Sequence, residues 1–96
     1  MIYKIYIPQF LNDSTPVNKE WVTNEIFHLS NGFTVYDGEG YFKGKDKVYV
    51  EDVWVFEIVT NKMLDQEIEV TLIYLKSALN QEAMFYVNTD GTGILV

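Results

Sequence analysis

The 96-residue sequence contains no cysteine, no arginine, one histidine and two prolines. Without cysteine there is no disulfide framework, no thiolate zinc site and no thiol nucleophile. Without arginine the chain lacks the planar fork that best grips phosphate and carboxylate. All seven bases are lysines, set against 14 acids, for a formal net charge of −7. That balance opposes nucleic-acid binding, which draws its affinity from neutralising phosphates. No apolar run approaches the roughly 20 residues of a membrane span. The opening MIYKIYIPQF alternates instead of forming the continuous apolar core of a secretion signal, so it reads as a strand. These features point to a cytoplasmic protein with no membrane partner. The usage of Asn, Ile, Lys and Tyr at the expense of Arg resembles an AT-rich coding bias, as in a low-GC bacterium or its phage.

What the chain has in quantity is apolar and aromatic residues, 48% and 16% of the whole. That suffices for one small core in a single domain over residues 1–96, thin enough that oligomerisation is a natural way to add burial. The β-branched and aromatic run Ile2–Ile7 predicts a strand, and Pro8 ends it. Residues 9–16 are loop-like. Asn18 is a good helix N-cap, with Val17 and Val22 at the staple positions and Val22, Ile26 and Leu29 on one face, so a helix is expected over Asn18–Ser30. Asn31-Gly32 stops it.

Phe33–Phe42 predicts a second strand, interrupted at Gly38 and Gly40. A charged turn at Lys43–Lys47 leads into a third strand, Val48–Val59, with a bulge or exposed step at Glu51-Asp52. In this third strand Val53, Val55 and Glu57 share one face, and Trp54, Phe56 and Ile58 the other. With both faces largely apolar, it should lie centrally. Ile68, Leu72, Leu75 and Leu79 make a helical stripe over Leu64–Leu79, acidic at its start and carrying Lys76 near its end, as the helix dipole favours. Ala83–Val87 predicts a fourth strand, Asp90-Gly91 a turn, and Ile94–Val96 a short extra strand. The order β-α-β-β-α-β is the ferredoxin-like, α+β arrangement: a four-stranded antiparallel sheet with two helices on one face and a short C-terminal extra strand.

The chain also carries Glu20-Trp21, then Gly32-Phe33-Thr34-Val35, Asp37-Gly38, Gly40 and Phe42, and finally Gln81-Glu82-Ala83-Met84. In order and spacing these resemble a group of small bacterial proteins classed as a domain of unknown function, with the pattern G-F-T-V-x-D-G-x-G followed by Q-E-x-aliphatic. The resemblance spans nearly the whole chain. It implies a ferredoxin-like fold and carries no activity with it.

Asp37-Gly-Glu-Gly40 is the main candidate site. Its acids do not continue at EF-hand spacing, and its glycines lead into a strand instead of a phosphate-cradling helix. Two readings follow: a ligand site built on Asp37, Glu39, Tyr41 and Trp54, or a bulged strand whose glycines take unusual backbone angles while Asp37 braces a turn. His28 reads as a helix-surface residue, or as the base or axial haem ligand of a dimeric α+β barrel enzyme. Glu51, Asp52 and Glu57 read as edge charges that discourage aggregation. Ser14, Ser30 and Ser77 sit in no nucleophile motif. Sequence offers no catalytic residue, metal site or cofactor.

The strand aromatics suggest that the sheet face away from the helices seeks cover. A homodimer is expected there, with interface residues Tyr3, Tyr36, Trp54 and Tyr86. The leading functional expectation is a small acidic non-enzymatic interaction module, whose negative surface suits a basic protein partner. The alternative is a small-molecule or signalling-nucleotide binder, such as a phage-encoded inhibitor or sponge against host defence. The third is an enzyme of the dimeric α+β barrel type.

Overall fold

The computed structural model describes all residues from Met1 to Val96. The elements follow one another as β1 (Ile2–Pro8), α1 (Lys19–Ile26), β2 (Thr34–Lys43), β3 (Val48–Val59), α2 (Asp65–Ala78), β4 (Phe85–Val87) and β5 (Gly93–Leu95). The fold is α+β. All five strands join one antiparallel sheet in the order β2-β3-β1-β4-β5. The expected C-terminal appendage is thus a full edge strand, and β3 has a neighbour on each side. No helix is long and apolar enough to cross a membrane.

Alternation along the strands decides the layers. Tyr3, Ile5 and Ile7 of β1 stand opposite Ile58, Phe56 and Trp54 of β3, and Tyr86 stands opposite Ile5. These residues form one core cluster with Val22 and Ile26 of α1 and Ile68, Leu72 and Leu75 of α2. Both helices therefore cover the same sheet face. Each fully buried aliphatic or phenyl side chain there contributes about 1.5–3 kcal/mol relative to exposure.

Each helix ends by a recognisable device. Asn18 caps α1 by accepting from Trp21 N–H at 3.0 Å, and Val17 and Val22 are both buried as a staple. The regular helix stops four residues short of the expected Ser30. His28 and Leu29 donate to Glu25 and Ile26, three residues back, and this tighter bonding winds the last turn out of the α-helix. Helix α2 has no capping side chain of its own. Instead Tyr3 Oη accepts from Leu64 N–H at 2.9 Å and donates to Asp65 Oδ2 at 2.9 Å. At the other end Asn80 (φ +52°) and Gln81 close a Schellman motif through bonds to Ser77 and Lys76.

The long hairpin corrects two expectations. Pairing runs without a break from Thr34↔Glu57 to Lys43↔Val48, so there is no bulge at Glu51-Asp52 and no interruption at Gly38 or Gly40. Gly91 is the one glycine with positive φ. The glycines of Asp37-Gly-Glu-Gly40 therefore sit in ordinary extended backbone that any residue can adopt. Because β1 ends at Pro8, opposite Val53, the hairpin beyond that row is a two-stranded ribbon. It contributes to the elongated 42 × 27 × 22 Å shape. Its turn closes with Gly44 N–H donating to Lys47 O at 2.8 Å.

Candidate functional site

The sheet face away from the helices carries the even-numbered residues of β1 and β2. Their register sorts them into rows across the strands. One row reads Tyr36, Val55, Tyr6, Phe85, Leu95; the next reads Gly38, Val53, Pro8; the one beyond reads Gly40, Glu51. Tall aromatic side chains thus border a low row of Gly, Val and Pro, and a carboxylate stands on the far side. The result is a cavity of about 660 Å³, whose lining includes Tyr6, Tyr36, Glu39, Phe42, Glu51 and Phe85. Tyr6 and Phe85 pack with ring centroids 5.3 Å apart. Gln81 reaches the rim as the chain leaves the Schellman turn of α2.

Glu51 is the distinctive group of this cavity. It is partly buried, and burial pushes its carboxyl above the usual carboxylate range. No lysine neutralises it, because the one ion pair within 4 Å in the molecule is His28 with Glu25. Glu39 also lines the cavity and accepts a hydrogen bond from Tyr41 Oη, which holds that phenol above its ordinary value. A second cavity of about 560 Å³ lies against the loop Phe10–Ser14 and shares Phe42 and Glu51 with the first. No group of three or more His, Asp or Glu side chains is arranged as a metal site.

Of the four ligand residues expected from sequence, the structure brings Glu39 and Tyr41 to the cavity and separates the other two from it. Asp37 pairs with Trp54, on the opposite side of the sheet, and accepts from Gln9 Nε2 at 3.0 Å. Its carboxylate therefore ties β2 to the loop after β1 and braces no turn. Trp54 is buried in the core beneath the helices, with Lys19 Nζ 5.8 Å from its ring centroid.

The expected interface set needs the same correction. Tyr3 and Tyr86 are fully buried on the covered face, where Tyr86 Oη shares Asp65 and Glu69 at 3.3 and 3.2 Å. Burial next to those two carboxylates raises the Tyr86 phenol strongly. Only Tyr36 of that set faces the open side, 41% exposed. His28 lies past the end of α1 with its side chain 75% exposed, on the helix side of the sheet and away from the cavity.

Sequence reasoning missed Tyr6, Glu51, Phe42, Phe85 and Gln81. The signal was the two-residue alternation. Trp54 shares a face with Phe56 and Ile58, and Tyr3 with Ile5 and Ile7, so the bulkiest apolar face is the core and the complementary positions line the site.

No family model matches the chain, and no curated protein matches it. Two solved structures share its fold. A phage SAM lyase in complex with S-methyl-5'-thioadenosine superposes with a TM-score of 0.71 at 11% identity, covering 99% of this chain and 87% of that one. A phage SAM lyase in the apo state gives 0.67, also at 11% identity, over 99% and 86%. These neighbours correct the expectation of a non-enzymatic interaction module: the fold that spans this chain is one that serves an enzyme.

Proposed function

We propose that this protein is a lyase acting on S-adenosylmethionine or a closely related sulfonium nucleoside, with the open-face cavity as its active site. The observation that carries this reading is Glu51: an unpaired, partly buried carboxylate in an aromatic-walled cavity of nucleoside size. Such a carboxylate costs stability unless a cation joins it. A sulfonium supplies that cation without a proton to lose, and Tyr and Phe faces add cation–π attraction. The likeness of fold to a phage SAM lyase in complex with S-methyl-5'-thioadenosine supports the same assignment.

A lyase parts the carbon–sulfur bond without water. The bonding pair stays on sulfur, which becomes the neutral thioether of S-methyl-5'-thioadenosine. The carbon regains a pair from its own amino-acid fragment. One source is the carboxylate oxygen, closing a ring. The other is a neighbouring C–H bond, whose proton Glu51 is placed to take. Ring closure removes one positive and one negative charge together, a change that the apolar rings of Tyr6, Tyr36, Phe42 and Phe85 favour over open water.

The second copy expected from the sequence finds its exposed apolar surface on other residues. Tyr41, Phe42, Val48, Tyr49 and Val50 of the hairpin ribbon are each more than half exposed, next to the cavity mouth. A homodimer docking there is the assembly this reading favours, and light scattering tests it.

The direct test of function is incubation of the purified protein with S-adenosylmethionine, followed by reversed-phase chromatography. S-methyl-5'-thioadenosine should accumulate over many turnovers. Substrate that survives unchanged at stoichiometric enzyme overturns the assignment.

A further inference from the structure

Gly38 and Gly40 are unexplained by the backbone. Neither has positive φ, and both lie in unbroken ladder pairing. Glycine inside a strand costs about 0.5–1 kcal/mol relative to alanine, so a strand with no conformational need for it gains nothing from having two. What the pair does is remove side chains from two successive positions on the open face of β2, both on the cavity wall, with the Phe42 ring leaning over Gly40.

We propose that the row Gly38–Val53–Pro8 is the seat of the substrate's purine ring, with the ribose and sulfur directed toward Gly40 and Glu51. This rests on the reading of the site as one for a sulfonium nucleoside. The row spans three strands, or about 10 Å at the usual strand spacing. Its side chains are short, and Val53 and Pro8, though buried over most of their surface, both line the cavity. The next row, about 7 Å along the strands, raises Tyr36, Tyr6 and Phe85 as an aromatic border. The row on the other side places Glu51 opposite Gly40. A flat apolar ring thus meets a flat apolar floor with aromatic neighbours, and the cationic end of the same molecule meets the unpaired carboxylate. The reverse orientation leaves Glu51 without its cation and sets the base against a carboxylate.

The floor has no room to spare. A Cβ at Gly38 lies 3.3 Å from both Val53 Cγ2 and Val55 Cγ2, so any larger side chain is wedged between the two valines and stands up into the cavity. A Cβ at Gly40 meets the Phe42 ring at 3.1 Å.

The test is Gly38→Val, with Gly38→Ala beside it, read by calorimetric titration with S-methyl-5'-thioadenosine and with adenosine. The new Cβ crowds Val53 and Val55, so the melting temperature of Gly38→Val should fall modestly, and that of Gly38→Ala by less, with the fold retained. The affinity of Gly38→Val for both nucleosides should fall at least tenfold, by the same factor, because they share the base. Gly38→Ala should weaken both by a smaller common factor, and it decides the matter if the valine variant does not fold. Unchanged affinity in these variants overturns the purine seat and leaves the lyase assignment standing. Weakened S-methyl-5'-thioadenosine binding with adenosine unaffected overturns the orientation. A parent protein that binds neither nucleoside removes the functional reading, and the purine seat with it.

Discussion

The two faces of one sheet are built from the same residue types and arrive at opposite ends. On the covered face, Tyr3 and Tyr86 are fully buried, and each hydroxyl reaches a carboxylate of α2. On the open face, Tyr6 and Tyr36 border a cavity in which Glu51 has no cation. The covered face satisfies its polar groups internally, and no buried side-chain polar atom lacks a partner. The open face leaves a carboxylate to be satisfied from outside. Aromatic richness alone thus says nothing about binding. What separates core from site is whether the chain supplies the polar partner itself.

Breaking the covered face should have the largest effect. Phe56→Ala removes a fully buried ring at the centre of the core and should cost about 3–5 kcal/mol in urea unfolding. Phe85→Ala, on the open face and 37% exposed, should cost about 1 kcal/mol and impair catalysis instead. Equal losses of stability at the two positions refute the division of labour.

Next in size is Glu51→Gln. It should lower kcat/KM for S-adenosylmethionine about 100-fold, as expected for losing a charge-assisted contact, while the fold persists. If the carbon–sulfur bond breaks at the parent rate, Glu51 is not the cation's partner.

Tyr3→Phe is smaller. It deprives Leu64 N–H of an acceptor and Asp65 of a donor at the start of α2. A loss of about 1–2 kcal/mol is expected, without change in nucleoside affinity. An equal effect on binding means that the faces are coupled.

The smallest effect is a pH trend. The raised carboxyl of Glu51 means that the folded state holds its proton more tightly than the unfolded chain. Glu51 therefore destabilises the fold once pH rises above the ordinary carboxylate range, and the penalty fades as pH falls back through it. Glu51→Gln should be more stable than the parent at neutral pH, with the gap closing in acid. A gap that widens in acid contradicts the assigned environment.

Element order, the central position of β3 and the shared face of the helices were legible because each rests on local pattern: the Asn18 cap, the Val17–Val22 staple, the stripe Ile68–Leu72–Leu75–Leu79. The site was only half legible. Glu39 and Tyr41 lie in the patterned segment around Gly38 and Gly40, and both reach the cavity. Asp37 and Trp54 do not: Trp54 alternates into the core, and Asp37, though of the same parity as Glu39 and Tyr41, lies where β1 still flanks the hairpin and Gln9 holds its carboxylate. Glu51 looked like a solvated edge charge: Pro8 marks the end of β1, but nothing local reveals the register that sets Glu51 across from Gly40, just beyond that end. The purpose of the glycines was hidden for a related reason. In sequence, glycine speaks of backbone freedom, and only the paired strands reveal that it stands for missing bulk.

The claim at the centre is that the uncovered sheet face holds the ligand. Amide chemical-shift mapping during titration with S-methyl-5'-thioadenosine tests it in one experiment. The shifts should gather at Gly38–Gly40, Glu51–Val55 and Phe85, with α1 and α2 undisturbed. Shifts gathered on the helices, or none at saturating nucleoside, contradict it.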